Sequence, residues 1–366
     1  MSDKARSAYL FLSLLQARVG ASLISRLGDI PPEEVLDSAG SHLASKVKMT
    51  TKAVREFDDL KYSFDAAHIE ARLNELGITV STLSDEEYPA SLKETTDPPP
   101  ALFVDGELPV GPAVALIGSR KATVTGNDTA RRLGQALAER SVPVVSGLAL
   151  GIDAAALEGA ASVNGPTVGV LGCGIDVVYP KSNRGLFGEV RDGGALVSEY
   201  YLGEAPLAWR FPARNRIIAG LSDYVVVVEA AEKSGALITA RHALDSGRDV
   251  WAVPGPMSAE ECRGSNRMLA DGAGVIWEIE EFVEMVAPDN KRATEDFDPP
   301  QIEIPVGLPE SEASVLAGIG FEPTPSDVVA VRSGLSMREL LPALTLLELK
   351  GYVSRDSAGS FVRRSG

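Results

Sequence analysis

The sequence predicts an α/β protein: a doubly wound, mostly parallel sheet carrying a helical module before it and a winged-helix module after it. Three observations predict this. From Ala113 onward, short apolar runs rich in β-branched residues alternate with helical segments. These runs are apolar on both faces, as strands buried in a parallel sheet must be. A polar, proline-containing stretch then separates them from a final set of three helices and two short strands.

Each element follows in turn. Residues 1–76 read as a helical domain, with apolar positions at helical spacing in Tyr9–Leu12 with Leu15, in Leu23, Ile24 and Leu27, and in Ile69, Leu73 and Leu76. Pro31-Pro32-Glu33-Glu34 has the proline and acid of a first helical turn. The stretch Arg18–Gly28 has the look of a degenerate helix-hairpin-helix of the SAM-like kind; a plain helical bundle is the other reading. Two extended runs follow, Ile78–Leu83 and Ala101–Val104, separated by Asp97-Pro98-Pro99-Pro100, which cannot be helical.

The sheet proper takes its strands from Val114–Ile117, Val142–Val145, Thr167–Leu171, Ala195–Val197, Tyr224–Val228, Val250–Val253 and Val275–Trp277. Helices are expected at Thr129–Arg140, Ala154–Ala161, Ala236–Leu244 and Arg267–Leu269. Residues 77–287 thus form a Rossmann-like domain, 288–309 a linker, and 310–366 a winged helix. In that last domain the helices fit Glu312–Ala317, Pro325–Val331 and Met337–Lys350, and the wing fits Tyr352–Asp356 with Ser360–Arg364.

Composition bounds the function. The chain has 366 residues, 45% of them hydrophobic, which is ample for a core. No apolar run reaches the roughly 18 residues of a membrane span, Met1–Arg6 has no signal layout, and a cytoplasmic protein is expected. Cys173 and Cys262 form neither a disulfide framework nor a zinc site. The net charge of −16 argues against nucleic acid until its distribution is read. Residues 1–112 hold 11 basic and 18 acidic groups and residues 256–366 hold 10 and 19, whereas residues 113–255 hold 14 of each. The middle of the chain can therefore carry a locally positive groove.

In an open α/β sheet, ligands bind at the carboxyl ends of the strands. Here those ends read Gly118-Ser119-Arg120-Lys121, Ser146-Gly147 with Gly151, Gly172-Cys173-Gly174 leading to Lys181, Ser198-Glu199, and Glu229 leading to Lys233-Ser234-Gly235. Such loops expose backbone N–H groups at helix N-termini, where donors and helix dipole together favour a phosphate. Arg120 and Lys181 would add full charges. The second strand lacks the acidic residue that holds a nicotinamide ribose, and there is no G-x-x-x-x-G-K-[ST] loop. The loop Lys233–Ala240 stands where nucleotide-cleaving phosphoribohydrolases carry a glycine loop and a nearby catalytic glutamate, but that glutamate is missing. His42, His68 and His242 have no metal spacing, and Cys173 reads as a buried thiol rather than a nucleophile. A binding protein with no cofactor, no metal and no catalytic residue is the expectation; a nucleotide-metabolising enzyme on the same fold is the alternative.

The motifs Gly118-Ser119-Arg120, Ser146-Gly147-x-Ala149-x-Gly151-Ile152-Asp153 and Gly172-x-Gly174-Ile175-Asp176-x-x-Tyr179-Pro180 resemble those of the DNA-processing protein A (DprA, or Smf) family. So do Phe211-Pro212-Ala213-Arg214-Asn215-Arg216-Ile217-Ile218-Ala219-Gly220, Ser234–Ala240 and Gly264-Ser265-Asn266, over about residues 78–277. The resemblance implies a homodimer that binds single-stranded DNA during natural transformation, protects it, and loads the RecA recombinase, with single-strand-binding protein as a further partner. The family's basic pocket carries over onto Arg120 and Lys181. The expected phosphate-binding set is Gly118, Ser119, Arg120, Lys121, Ser146, Gly147, Gly151, Lys181, Arg214, Lys233, Ser234 and Gly235. Of Arg214, Asn215 and Arg216, one arginine is expected to face DNA and the rest to be structural, pairing with Glu199 or Glu229. The dimer contact is expected at Met268, Leu269, Val275 and Ile276, which end the sheet and need cover. The second helix of the helix-turn-helix, Ser336–Lys350, with Arg338 and Lys350 against Glu339 and Glu348, is too poor in cations for a major-groove reader and points to protein contact.

Overall fold

The computed structural model describes residues 3–20, 26–28, 30–47, 49–288, 308–317, 319, 324–355 and 360–363. It divides into two compact units, Met1–Pro288 and Asp289–Gly366.

The first unit is built on a nine-stranded sheet. Its strands are β1 (Ile78–Thr82), β2 (Ala101–Gly106), β3 (Val114–Gly118), β4 (Val144–Ser146), β5 (Thr167–Val170), β6 (Gly194–Ser198), β7 (Tyr224–Glu229), β8 (Asp249–Ala252) and β9 (Gly274–Val275). They lie in the order β1-β2-β6-β5-β4-β3-β7-β8-β9. From β6 to β9 every pairing is parallel. The pairings β1–β2 and β2–β6 are antiparallel, so the two lead-in strands extend one edge in the opposite sense.

The chain runs β3, β4, β5, β6 to one side and then returns to lay β7 on the other side of β3. The order reverses between β3 and β7, and a doubly wound sheet opens its ligand crevice at that reversal. The central strands are apolar because both faces are covered. Val114, Leu116, Val226 and Val228 pack into one core layer with the helices Val124–Glu139, Ile152–Ser162 and Ile279–Val286. Ala115, Ile117, Val225 and Val227 pack into the other, with Arg210–Gly220 and Ala236–Asp245.

The N-terminal helix Asp3–Val19 fills a third core with Phe11, Leu12 and Leu15 against Phe57 and Leu60 of the helix Thr51–Ser63. It also docks onto the sheet domain through polar groups. Ser13 Oγ donates to the Glu199 carbonyl and Gln16 Nε2 to the Glu199 carboxylate, at 3.2 and 3.0 Å. Residues 21–25, within the stretch read as helix-hairpin-helix-like, lie outside the described residues.

The second unit has helices Glu310–Ala317, Ser326–Ser333 and Met337–Leu349 and an antiparallel hairpin of β10 (Val353–Arg355) and β11 (Phe361–Arg363). Val315, Leu316, Ile319, Val329, Leu340, Leu344, Leu347, Val353 and Phe361 form its core. The third helix starts with a capping box in which Ser336 and Glu339 satisfy each other's end groups. Most of the linker, 289–307, lies outside the described residues. Among the described residues no helix is long and apolar enough to cross a membrane.

Candidate nucleic-acid interface

A groove of about 450 Å³ opens at the crevice between β3 and β7. Its floor is the end of β3 and the loop Gly118-Ser119-Arg120-Lys121. One wall is Phe211, Pro212, Arg214 and Asn215 of the helix Arg210–Gly220, and the far wall is Ser234, Gly235, Ala236 and Thr239. Arg120 also lines an adjoining slot with Gly147, Leu150, Tyr179, Phe211 and Arg214.

The loop after β3 is held from behind. Glu229, buried at the end of β7, accepts the backbone N–H of Thr123 at 3.0 Å and its hydroxyl at 2.6 Å. Thr123 Oγ1 in turn caps the helix Val124–Glu139 by accepting the Gly126 N–H at 2.9 Å. The Ser119 N–H donates to the Glu229 carbonyl, and the Ile152 N–H to the Ser119 carbonyl. Gly151, at φ +78°, is required there: a Cβ at this position would press on the Ser119 carbonyl and the Arg120 backbone. The loop is thus latched on two sides while Arg120 and Lys121 remain exposed at the groove mouth. The Arg120 guanidinium lies 5.2 Å from the Phe211 ring centroid, and Tyr179 lies 5.3 Å from the same ring. Cation and aromatic faces therefore meet at one lip, the pairing used to hold a base next to its phosphate.

The expected site residues separate on inspection. Gly118, Ser119, Arg120, Lys121, Ser234 and Gly235 line the groove, and Gly147 lines the slot. Lys181, in the turn Lys181–Asn183, and Lys233 are exposed but line neither. Ser146 is fully buried, and its hydroxyl donates to the Leu116 carbonyl across to β3 at 2.6 Å, so it tethers two strands rather than meeting a phosphate.

Arg214 lines both cavities but is only 3% exposed. Its Nη1 donates to the Val170 carbonyl and its guanidinium lies where a Gly147 side chain would be, which is why residue 147 is glycine. Burial pushes this guanidinium down to about 10, with Asp153 opposing the shift. Burial likewise raises Asp153, against the pull of Arg214 and Arg120. Arg216 is buried against Glu199. Of the two, Arg214 is therefore the arginine that lines the groove, though little of its surface is exposed, and Arg216 is the one that pairs with Glu199. Arg210, on the same helix, donates to the Ala17 carbonyl at 2.9 Å.

Groove residues outside the expected set include Asn215, Phe211 and Thr239. Asn215 donates to the Gly235 carbonyl at 3.3 Å and joins the two walls. Phe211 and Thr239 lie in motifs already noted, but nothing in their spacing marks them as groove-lining. Cys173 is buried, and burial raises its thiol to about 11. Among the described residues no group of three or more His, Cys, Asp or Glu side chains has metal-binding geometry.

The expected dimer residues also divide. Val275 is 45% exposed on β9, the edge strand. Ile276 is buried within the core and is withdrawn from any contact surface. Met268 and Leu269 are partly buried against the opposite core layer.

The model of the DNA recombination-mediator protein A family matches residues 79–287, which contain the whole groove, and that of the DprA winged-helix domain matches 299–359. The chain belongs to the DNA recombination-mediator protein A family. Within this family it is 41% identical over 290 residues to the Smf protein of Escherichia coli, covering 76% of this chain and 75% of that one. It is 36% identical over 230 residues to the Bacillus subtilis DNA processing protein DprA, covering 62% and 77%. Among solved structures, DprA of Streptococcus pneumoniae is similar at 33% identity with a TM-score of 0.64, covering 75% of this chain and 96% of that one. DprA of Helicobacter pylori, determined for its single-stranded DNA binding mode, is similar at 32% identity with a TM-score of 0.52, covering 57% and 95%. The family is one of DNA-processing recombination mediators.

Proposed function

We propose that this chain binds single-stranded DNA in the groove between β3 and β7 and acts as a recombination mediator that protects incoming strands and delivers them to a RecA-type recombinase. The observation that carries the reading is the latched loop Gly118–Thr123, which holds exposed Arg120 against the Phe211 ring at the groove lip. A strand of phosphates and unpaired bases suits a lip that offers one cation and one aromatic face, and such binding needs no base sequence. The described single-strand binding of the Helicobacter pylori relative supports the same reading. Binding rather than catalysis is the role proposed, in keeping with the recombination-mediator family.

A homodimer through the β9 edge, with Val275 as its exposed residue, belongs to the same proposal, since two grooves on one strand multiply affinity by effective concentration. The test is a gel-shift titration with single- and double-stranded oligonucleotides at two salt concentrations, followed by strand-exchange assays with RecA on strands precoated with single-strand-binding protein. Tighter, salt-sensitive binding of single strands and faster exchange are expected. Equal binding of both forms would reject the groove as a single-strand site.

A further inference from the structure

The helix Arg210–Gly220 carries the buried arginines Arg210, Arg214 and Arg216. Arg210 pairs with Glu204 and Arg216 with Glu199, each at 2.7 Å. Arg214, 3% exposed, makes no ion pair with a described residue. Its Nη1 donates to the Val170 carbonyl, and its buried Nε has no hydrogen-bond partner among the described residues. Asp153 attracts it from further off, while one Asp153 carboxylate oxygen accepts the Gly147 N–H at 3.1 Å. A buried cation held this loosely destabilises the fold unless a ligand supplies its anion.

The surrounding walls complete an anion site. Arg120 and Arg214 line both the groove and the adjoining slot, and Lys121 lines the groove. The positive end of the helix Ala236–Asp245 stands at the far wall. Asp153 is the sole carboxylate among the described residues that line the groove. At about 450 Å³ the groove has the size of a site for one small ligand rather than for a length of strand.

A phosphate inside a strand reaches such a floor poorly. It is an ester on both sides and carries a single charge. A terminal phosphate is bonded once, presents three free oxygens and carries close to two charges at pH 7. We propose that the groove floor at Arg214 is a subsite for a phosphomonoester, the terminal phosphate of a strand end or of a free nucleotide. This rests on the reading of the groove as a single-strand site and adds to it a preference for phosphorylated ends.

Competition against an internally labelled oligothymidylate, read by fluorescence anisotropy on the full chain, tests this. The competitors are unlabelled oligothymidylates with a 5′-phosphate, a 3′-phosphate or hydroxyls at both ends, and thymidine monophosphate paired with thymidine. The nucleotide pair is also compared by thermal shift, which needs no strand. A phosphorylated strand that competes about tenfold better than its hydroxyl-ended counterpart makes the strand end the source. The same advantage of the monophosphate over thymidine alone makes it the free nucleotide. Arg214→Gln should level each pair. So should Gly147→Ala, whose Cβ would press on the guanidinium. Equal potency within every pair, or an advantage that survives in folded Arg214→Gln, would overturn the proposal. Strands that bind with no gain from a terminal phosphate would overturn it and leave the single-strand reading standing. If no strand binds, that reading fails, and the thermal shift alone then decides for or against the subsite.

Discussion

Arg216 and Glu199 form a two-pronged ion pair, Nη1 to Oε1 at 2.8 Å and Nη2 to Oε2 at 2.7 Å, with both side chains buried. Burial opposes the Arg216 charge, but Glu199 and Asp97 outweigh it and hold the guanidinium above its ordinary pKa. Gln16 of the N-terminal helix donates to the same carboxylate. One pair therefore fixes three things: the end of β6, the helix that walls the groove, and the docking of the N-terminal module.

Breaking that pair from one side leaves a buried charge without its partner. Glu199→Ala or Arg216→Ala should destabilise the first unit by about 3–5 kcal/mol, read as a lower urea midpoint with little change in slope. Gln16→Ala should cost about 1 kcal/mol, because Arg216 still satisfies the carboxylate.

The latch behind the groove makes a different prediction. Thr123→Ala removes a helix cap and one of the donors to buried Glu229. A loss of about 1–2 kcal/mol in stability is expected, together with weaker single-strand binding as the Gly118–Thr123 loop loosens. Thr123→Ser keeps both hydrogen bonds and should restore both readouts.

Cys173 sets a pH dependence. Its thiol, raised by burial from the ordinary value of 9.0 to about 11, keeps its proton in the folded state at pH values where the unfolded chain has lost it. The stabilisation from this group is complete below pH 9 and is lost as pH rises to 11, a span worth up to about 2–3 kcal/mol. Cys173→Ala should flatten the stability curve across that window. At pH 8 the native thiol should react with a thiol reagent far more slowly than in urea.

Assembly through the sheet edge is tested at β9. Val275→Arg should lower the mass seen by light scattering at micromolar concentration and weaken binding of long single strands much more than of short ones. Equal losses on both lengths would mean that the groove itself was damaged.

The sheet was legible in the sequence because strands buried on both faces must be apolar throughout, and runs such as Val225–Val228 have no other use. The groove loops were legible for a related reason: glycines at Gly118 and Gly151 mark places where backbones approach closely. The antiparallel edge formed by β1 and β2 was not, since pairing direction depends on partners far along the chain. The depth at which Arg214 sits in the groove was not legible either. It is set by Val170 and Gly147 beneath it, which come from the ends of other strands. A polar run such as Arg214-Asn215-Arg216 looks exposed until its cover is known. Ile276 was read as surface because its strand is an edge, yet its side chain belongs to the core layer beneath helix Ile279–Val286.

The most direct test of the account is the salt dependence of single-strand binding by Arg120→Ala. If Arg120 contacts a phosphate at the groove lip, the variant should bind every single-stranded sequence more weakly, and the slope of log affinity against log salt should fall by about one. Unchanged affinity and slope in a folded variant would contradict the assignment of the β3–β7 groove as the DNA site.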